Sequence, residues 1–224
     1  MIQVISLWVA PQPEARVMLP VAYRCYNLRG DPIRFFNGSV DVKAHGVYRI
    51  SDTRNTLVVL GCNTGAYTRN SNSSGTGSYF AGCFAYCKDL ASVKNDECAS
   101  VGCCQFDIPP GLTDNVVTFE DWEHGDMEYS PCDYAFLVDK DNYTFKVSDL
   151  HMDEKRRNMP VWLDWAIRDD GVPSCAVAMN RTGYACRSNH SECVDSDNGP
   201  GYFCRCKKGY EGNPYKPGNG CISK

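Results

Sequence analysis

The chain has 224 residues and a formal net charge of −4, with 43% hydrophobic and 22% charged residues, proportions that exclude wholesale disorder. Fourteen cysteines are far above ordinary usage and point to an oxidising compartment. No apolar run reaches the roughly 20 residues of a membrane-spanning helix, so a cytosolic metabolic enzyme and a membrane-embedded protein both fit poorly.

Strand signals dominate in chain order. Met1 to Ala10 is apolar but has no basic start and ends at Pro11, a poor export signal, so the sequence reads as a fragment. From Arg16 to Tyr26, Val17, Leu19, Val21, Tyr23 and Cys25 recur every second residue, the period of a half-buried strand. Thr56 to Cys62 reads as a buried strand and Arg69 to Ser78 as an exposed, low-complexity loop. Asn115 to Trp122, Asp133 to Asp139 and Tyr143 to Val147 repeat the strand pattern. Asn37-Gly38, Pro109-Pro110-Gly111 and Asp139 to Asn142 supply turns. Ser148 to Asn158 is the one helical expectation, ended by Met159-Pro160. The fold class expected is therefore mainly β, with a disulfide-tied part ending near residue 170. From Cys175 to Cys221 aliphatic residues are scarce, and covalent staples of about 2–4 kcal/mol each must replace a core.

Charge is uneven. Residues 1–99 hold 10 basic and 7 acidic side chains, residues 100–174 hold 6 and 16, and residues 175–224 hold 7 and 4. The acidic middle disfavours nucleic acid and anionic membranes, while the basic flanks could face an acidic ligand.

The last six cysteines, Cys175, Cys186, Cys193, Cys204, Cys206 and Cys221, allow 15 pairings. The C-x-C at Cys204 and Cys206, followed by Gly209-Tyr210-Glu211-Gly212, resembles an EGF-like module. That resemblance implies Cys175–Cys193, Cys186–Cys204 and Cys206–Cys221. Gly171-Val172-Pro173-Ser174 stands where calcium-binding modules carry acidic residues, and Asp195 alone offers too few oxygens for calcium. Cys25, Cys62, Cys83, Cys87, Cys98, Cys103, Cys104 and Cys132 allow 105 connectivities. Adjacent Cys103 and Cys104 must reach two different segments rather than each other.

Gly102-Cys103-Cys104-Gln105 with Ile108-Pro109, Gly82-Cys83-Phe84-Ala85-Tyr86-Cys87, Pro131-Cys132 with Tyr134-Ala135-Phe136, Leu163-Asp164-Trp165-Ala166-Ile167, Asn198 to Tyr202 and Tyr210 to Tyr215 together resemble the extracellular region of plant wall-associated kinases. The resemblance implies the C-terminal part of a galacturonan-binding domain at 1–60, a cysteine-rich wall-associated-kinase β domain at 61–170, and an EGF-like module at 175–221. It implies a cell-surface receptor at the interface of plasma membrane and wall, binding pectin or oligogalacturonides. The family's Cys-Gly opening and Tyr-Pro-Phe-Gly motif are absent, and no kinase motif or membrane span follows Lys224, so the expectation is an ectodomain piece truncated at both ends.

A polyuronate needs cations and aromatic faces. The carbohydrate-binding candidates are Arg24, Lys43, Arg49, Arg54, Arg69 and Lys88, expected to form a salt-sensitive patch. Sequons at Asn37, Asn72, Asn142, Asn180 and Asn189 fit a secreted glycoprotein.

His45, His124, His151 and His190 form no H-E-x-x-H pair, and there is no G-x-S-x-G elbow. Glu120, Asp121, Glu123, Asp126 and Glu128 read as a solvated acidic loop rather than a glycosidase or cation site, and Trp122, Trp162 and Trp165 as core. The expectation is a binding module without catalysis, cofactor or metal. The alternative is a protein-interaction module without sugar affinity, binding a peptide or another receptor.

Overall fold

Six consecutive residues, Asn55 to Leu60, and eight more, Cys132 to Asp139, are all buried, and the architecture is built outward from these two strands. The computed structural model describes residues 3–9, 13–42, 46–69, 80–152, 158–168 and 171–224. In chain order the strands are β1 (Gln3–Val9), β2 (Pro13–Pro20), β3 (Ala22–Tyr26), β4 (Pro32–Phe36), β5 (Val40–Asp41), β6 (Tyr48–Ile50), β7 (Asn55–Leu60), β8 (Thr64–Arg69) and β9 (Phe80–Ala85). There follow β10 (Cys103–Asp107), β11 (Asp114–Asn115), β12 (Val117–Phe119), β13 (Cys132–Asp139), β14 (Asn158–Trp165), β15 (Ser191–Asp195), β16 (Tyr202–Cys206), β17 (Tyr210–Gly212) and β18 (Cys221–Ser223).

A five-stranded sheet runs β10-β7-β13-β3-β4. Alternate residues of β7 and β13 feed different cores, which is why both read as unbroken apolar runs. Leu57, Val59, Ala135 and Leu137 meet Val17, Leu19, Ile50, Val161 and Leu163 of the four-stranded sheet β1-β2-β14-β6. Val58, Leu60, Tyr134 and Phe136 meet Phe145, Leu150 and Met152 on the other side. A third sheet, β12-β8-β9, adds Ala66, Ala85, Val117 and Phe119 to the first core. Strands from before residue 60 thus pair with strands from well beyond it: β7 with β10 and β13, β3 with β13, and β2 with β14. The fold is a disulfide-rich β fold.

Several local expectations change. The run Arg16 to Tyr26 is two strands in different sheets, because Pro20 has no N–H to carry a ladder through and Val21, fully buried, turns the corner. Asn115 to Trp122 pairs only at Asn115 and at Val117–Phe119. Tyr143 to Val147 is no strand. The Phe145 carbonyl accepts from Asp96 N–H and Val147 N–H donates to Asn95 Oδ1, isolated bonds to a loop rather than a ladder. Of the helix expected over Ser148–Asn158, Val147–His151 is a short 3₁₀ turn and Asn158 opens β14, while 153–157 lie outside the described residues. Met1–Ala10 contains β1, paired antiparallel with β2. Of the loop expected over Arg69–Ser78, Arg69 ends β8 and the rest lies outside the described residues, as do Lys43, His45 and Asn72.

All fourteen cysteines are paired. Cys25–Cys132, Cys62–Cys87, Cys83–Cys104 and Cys98–Cys103 tie the larger part, the neighbours Cys103 and Cys104 each reaching a different loop or strand. Cys175–Cys193, Cys186–Cys204 and Cys206–Cys221 staple the hairpins β15-β16 and β17-β18. Asp195 accepts the Cys175 backbone N–H, so this carboxylate holds a turn.

No disulfide crosses between the two parts. Asn198, which is fully buried, bonds across the joint, beside the Ile167–Tyr202 bridge and the Trp165–Tyr215 ring contact. Its amide donates to the Ile50 carbonyl at 3.0 Å and to Asp164 Oδ2 at 2.7 Å, and its Oδ1 accepts from Gly111 N–H at 2.6 Å. Burial pushes the Asp164 carboxyl up to about 6 against the hydrogen bonds of Asn198 and Ser51 that favour its charge. Burial and nearby Arg49 lower the Arg168 guanidinium to about 10.

A carboxyl raised in the folded state binds its proton more tightly there than in the unfolded chain. Its protonated form therefore favours folding, and that contribution disappears as pH rises through about 6. Between pH 4 and pH 7 this group should remove up to about 3 kcal/mol of stability. Denaturant titrations across that range should show this loss in the native chain and a shallower slope in Asp164→Asn.

Candidate functional site

The segment Gly82 to Lys88 alternates strictly. Ala85 and Cys87 are buried, and Cys83 packs against the first core. Cys83 is bonded to Cys104 on β10 and Cys87 to Cys62 after β7, so two covalent ties hold one side of the segment inward. Period two then sends Gly82, Phe84, Tyr86 and Lys88 outward. Phe84 is 61% and Tyr86 56% exposed, large values for aromatic side chains.

The neighbouring strand shapes this surface. Tyr67 lies opposite Gly82, and Gly65 opposite Phe84. A Cβ on Gly82 would come within 2.5 Å of the Tyr67 Cβ, so glycine there makes room for Tyr67. A Cβ on Gly65 would meet the Trp122 ring at 3.4 Å. Trp122 sits with its ring 6.1 Å from that of Phe84, tilted by 59°. Trp122, expected in the core, is therefore a 37% exposed surface residue, because β12 ends at Phe119 and the chain beyond it runs over the outside of β8. Trp162 and Trp165 are half-buried. The result is an aromatic face with Lys88 at one end.

The other end is the acidic loop, with Glu120, Asp121, Glu123, Asp126 and Glu128 all exposed. One residue within it is buried: His124 stacks on Tyr26 at 3.7 Å and 10°. His124 Nε2 lies 3.1 Å from Asp133 Oδ1 and Nδ1 lies 2.8 Å from the Trp122 carbonyl, so both ring nitrogens face oxygens. Tyr26 donates to Asp133 Oδ2 at 2.8 Å, and burial followed by the Asp133 charge pushes its hydroxyl pKa up. This chain of contacts fixes the backbone that presents Trp122.

The sequence candidates are dispersed. Arg24 on β3 donates to Tyr26 Oη and Asp121 Oδ1, both at 2.7 Å, and to the Glu120 carbonyl, which commits it to anchoring the acidic loop. Arg49 on β6 is buried, donates to the carbonyls of Gly46 and Tyr48, and has its pKa lowered by that burial. Arg54 lies over the Trp162 ring at 4.7 Å and 3.7 Å from Glu14. Arg69 has only its backbone among the described residues. Among the candidates whose side chains are described, Lys88 alone stands exposed beside the aromatic face.

Phe84 and Tyr86 were not among the candidates. Their signal is the cysteine alternation itself, since Cys83 in β9 and Cys87 two residues past its end face inward and leave Phe84 and Tyr86 on the other side. Of the sequon residues, Asn142, Asn180 and Asn189 are exposed and Asn37 is half-buried. Asn142 donates to Asp139 and Asn180 to the Ala176 carbonyl. Among the described residues no three His, Cys, Asp or Glu side chains converge as a metal site, and no helix is long and apolar enough to cross a membrane.

An aromatic face of this kind can stack against flat apolar rings, and an ammonium at its end can pair with a carboxylate. Replacing His124 with alanine leaves Asp133 buried without its imidazole. It should cost about 2–4 kcal/mol by denaturant titration and increase amide exchange across Glu120–Gly125.

The chain is similar to wall-associated receptor kinase 4 of Arabidopsis thaliana, 33% identical over 95% of this chain and 28% of the relative. It is 35% identical to wall-associated receptor kinase 2 of the same plant over 93% of this chain and 27% of the relative. With wall-associated receptor kinase 5 the identity is 32% over 72% of this chain and 21% of the relative. The chain thus spans under a third of the length of these relatives. No family model matches, and no solved structure matches.

Proposed function

From the premise that the chain belongs to the wall-associated receptor kinase family, corresponding to part of its ectodomain, we propose that it is a non-catalytic extracellular module that binds acidic wall polysaccharide, pectin or oligogalacturonides, at the face formed by Phe84, Tyr86 and Lys88. The proposal takes 1–60 as the C-terminal part of a galacturonan-binding domain, 61–170 as the wall-associated-kinase domain and 175–221 as an EGF-like module. Seven disulfides support the extracellular reading, because such a set persists only under oxidising conditions.

The observation that carries the binding reading is the outward run Phe84, Tyr86, Lys88, held in place by two disulfides behind it. Phe84 stands on β9, and Tyr86 and Lys88 continue the outward side just beyond its end, so two rings and a cation follow one another on one surface. Aromatic faces take up the apolar side of successive sugar rings, and the ammonium pairs with a uronate. The site is prebuilt, so binding orders few side chains and loses little affinity to that cost.

A second reading has its own support. Glu120, Asp121 and Glu123 lie at the Trp122 end of the face, and a polyuronate crossing that end would be repelled. On this reading the surface takes a protein partner and has no sugar affinity.

Calorimetric titration with oligogalacturonides at two ionic strengths separates the two. Under the polysaccharide reading, binding weakens as salt rises. Phe84→Ala and Tyr86→Ala each reduce affinity by about 3–10-fold, as expected for loss of one ring contact of about 1 kcal/mol. Lys88→Ala reduces both affinity and salt dependence. A folded chain that binds no oligogalacturonide at either salt level supports the protein-partner reading.

A further inference from the structure

The face that carries Phe84, Tyr86 and Trp122 has opposite charges at its two ends. At one end stands Lys88, exposed and four residues on from Phe84. Its carbonyl accepts from Tyr129 Oη at 3.1 Å, which fixes the backbone there. The adjacent Asp89 spends its carboxylate on the Ser92 backbone N–H at 3.0 Å. Among the described residues the Lys88 ammonium has no ion-pair partner.

At the other end Glu120 and Glu123 are exposed. A Cβ on Gly65 would meet Glu120 Cγ at 3.2 Å and the Trp122 ring at 3.4 Å, and Gly65 lies opposite Phe84. Glu120 and Trp122 therefore sit together beside Phe84. The Glu123 carbonyl accepts from Asn63 Nδ2 at 2.5 Å, which pins the chain just past Trp122. Asp121 pairs with Arg24, whereas the carboxylates of Glu120 and Glu123 have no cationic partner among the described residues. One surface thus carries a cation, part-exposed rings and two carboxylates whose charges do not meet within the molecule.

Such a surface is complementary to itself. A two-fold axis near Tyr86 turns it end for end, setting Lys88 of each copy against Glu120 and Glu123 of the other and bringing the exposed rings together. We infer that this face pairs with the same face of a second copy of the chain. Aromatic rings then form the centre of the contact and the charges its rim, the usual anatomy of a recognition surface. The rim charges add little affinity but fix the register, because any other orientation places like charges together. Three part-exposed aromatic side chains make a patch on the order of a few hundred Å², which suits a weak, reversible pair rather than an obligate dimer. The inference rests on the same face as the binding reading above, but not on sugar affinity.

The test is sedimentation equilibrium of the native chain over a range of concentrations, at low and high salt and without sugar. A mass that rises from monomer towards dimer, less steeply at high salt, is expected. Phe84→Ala should weaken association by at least about 5-fold. Lys88→Glu puts like charges at both rims and should stay monomeric, as should the double variant Glu120→Lys with Glu123→Lys. Mixed in equal amounts, these two monomeric chains should form a heterodimer, because opposite charges then face each other at both rims. Misfolding does not imitate that result, since two misfolded chains do not rescue one another. A native chain that stays monomeric at the highest soluble concentration overturns the inference, as does a dimer unaffected by Lys88→Glu or a mixture no more associated than its components. If such a chain still binds oligogalacturonide through Phe84, Tyr86 and Lys88, the proposed function stands and only the pairing falls. A chain that pairs as described and binds no oligogalacturonide removes the polysaccharide reading and leaves the pairing standing.

Discussion

Two covalent bonds, Cys62–Cys87 and Cys83–Cys104, decide which side of one strand meets water. They link the strand to the ends of β7 and β10 and hold Cys83 and Cys87 against the central cores. In most sheets the choice of face is made by burying apolar residues, and a strand bearing two aromatics would turn them inward. Here the sulfurs and Ala85 occupy the inner side, so Phe84 and Tyr86 remain outside at the expense of hydrophobic burial. Exposed aromatic side chains held in water by covalent force are the feature on which the proposed binding reading rests.

The same logic extends to the loop that carries Trp122. Its acidic side chains repel one another and favour an extended, mobile loop. The loop is held by the buried contacts of His124 with Asp133 and Tyr26 and by the Arg24–Asp121 pair. Arg24 is thus an internal anchor whose charge is spent inside the protein. Among the described side chains, the cations committed to such roles leave Lys88 as the expected basic residue that flanks the aromatic face.

Much of the framework is legible in the sequence. β7 and β13 appear as uninterrupted apolar runs because each serves two cores, and the alternation in Arg16–Tyr26 is real on both sides of Pro20. What a period cannot register is a corner, since the pattern of in and out continues while the chain changes sheet. Tyr143 to Val147 fails for another reason: alternation describes the two sides of an extended segment, and a strand also needs a neighbour. The residues that would supply one, Asn95 and Asp96, sit in a loop and bond to it singly. For the site, residue type identified basic side chains but not their partners, as with Arg24 and Asp121, 97 positions apart. The aromatic pair was readable from Cys83 and Cys87, provided that cysteines are treated as the fixed side of a strand.

The joint at Asn198 has a mechanical consequence. On one side the chain is stitched by three disulfides, and on the other by four within hydrogen-bonded sheets, while between them stand an asparagine, a short bridge at Ile167–Tyr202 and the contacts of Arg168 with Pro200 and Ser196. Tension drawn along the backbone across this boundary loads those few polar contacts first. The part closed by three disulfides then keeps its shape, while on the other side β14, which lies beyond Cys132 and outside every disulfide loop, is held to β2 and β6 by hydrogen bonds and packing alone.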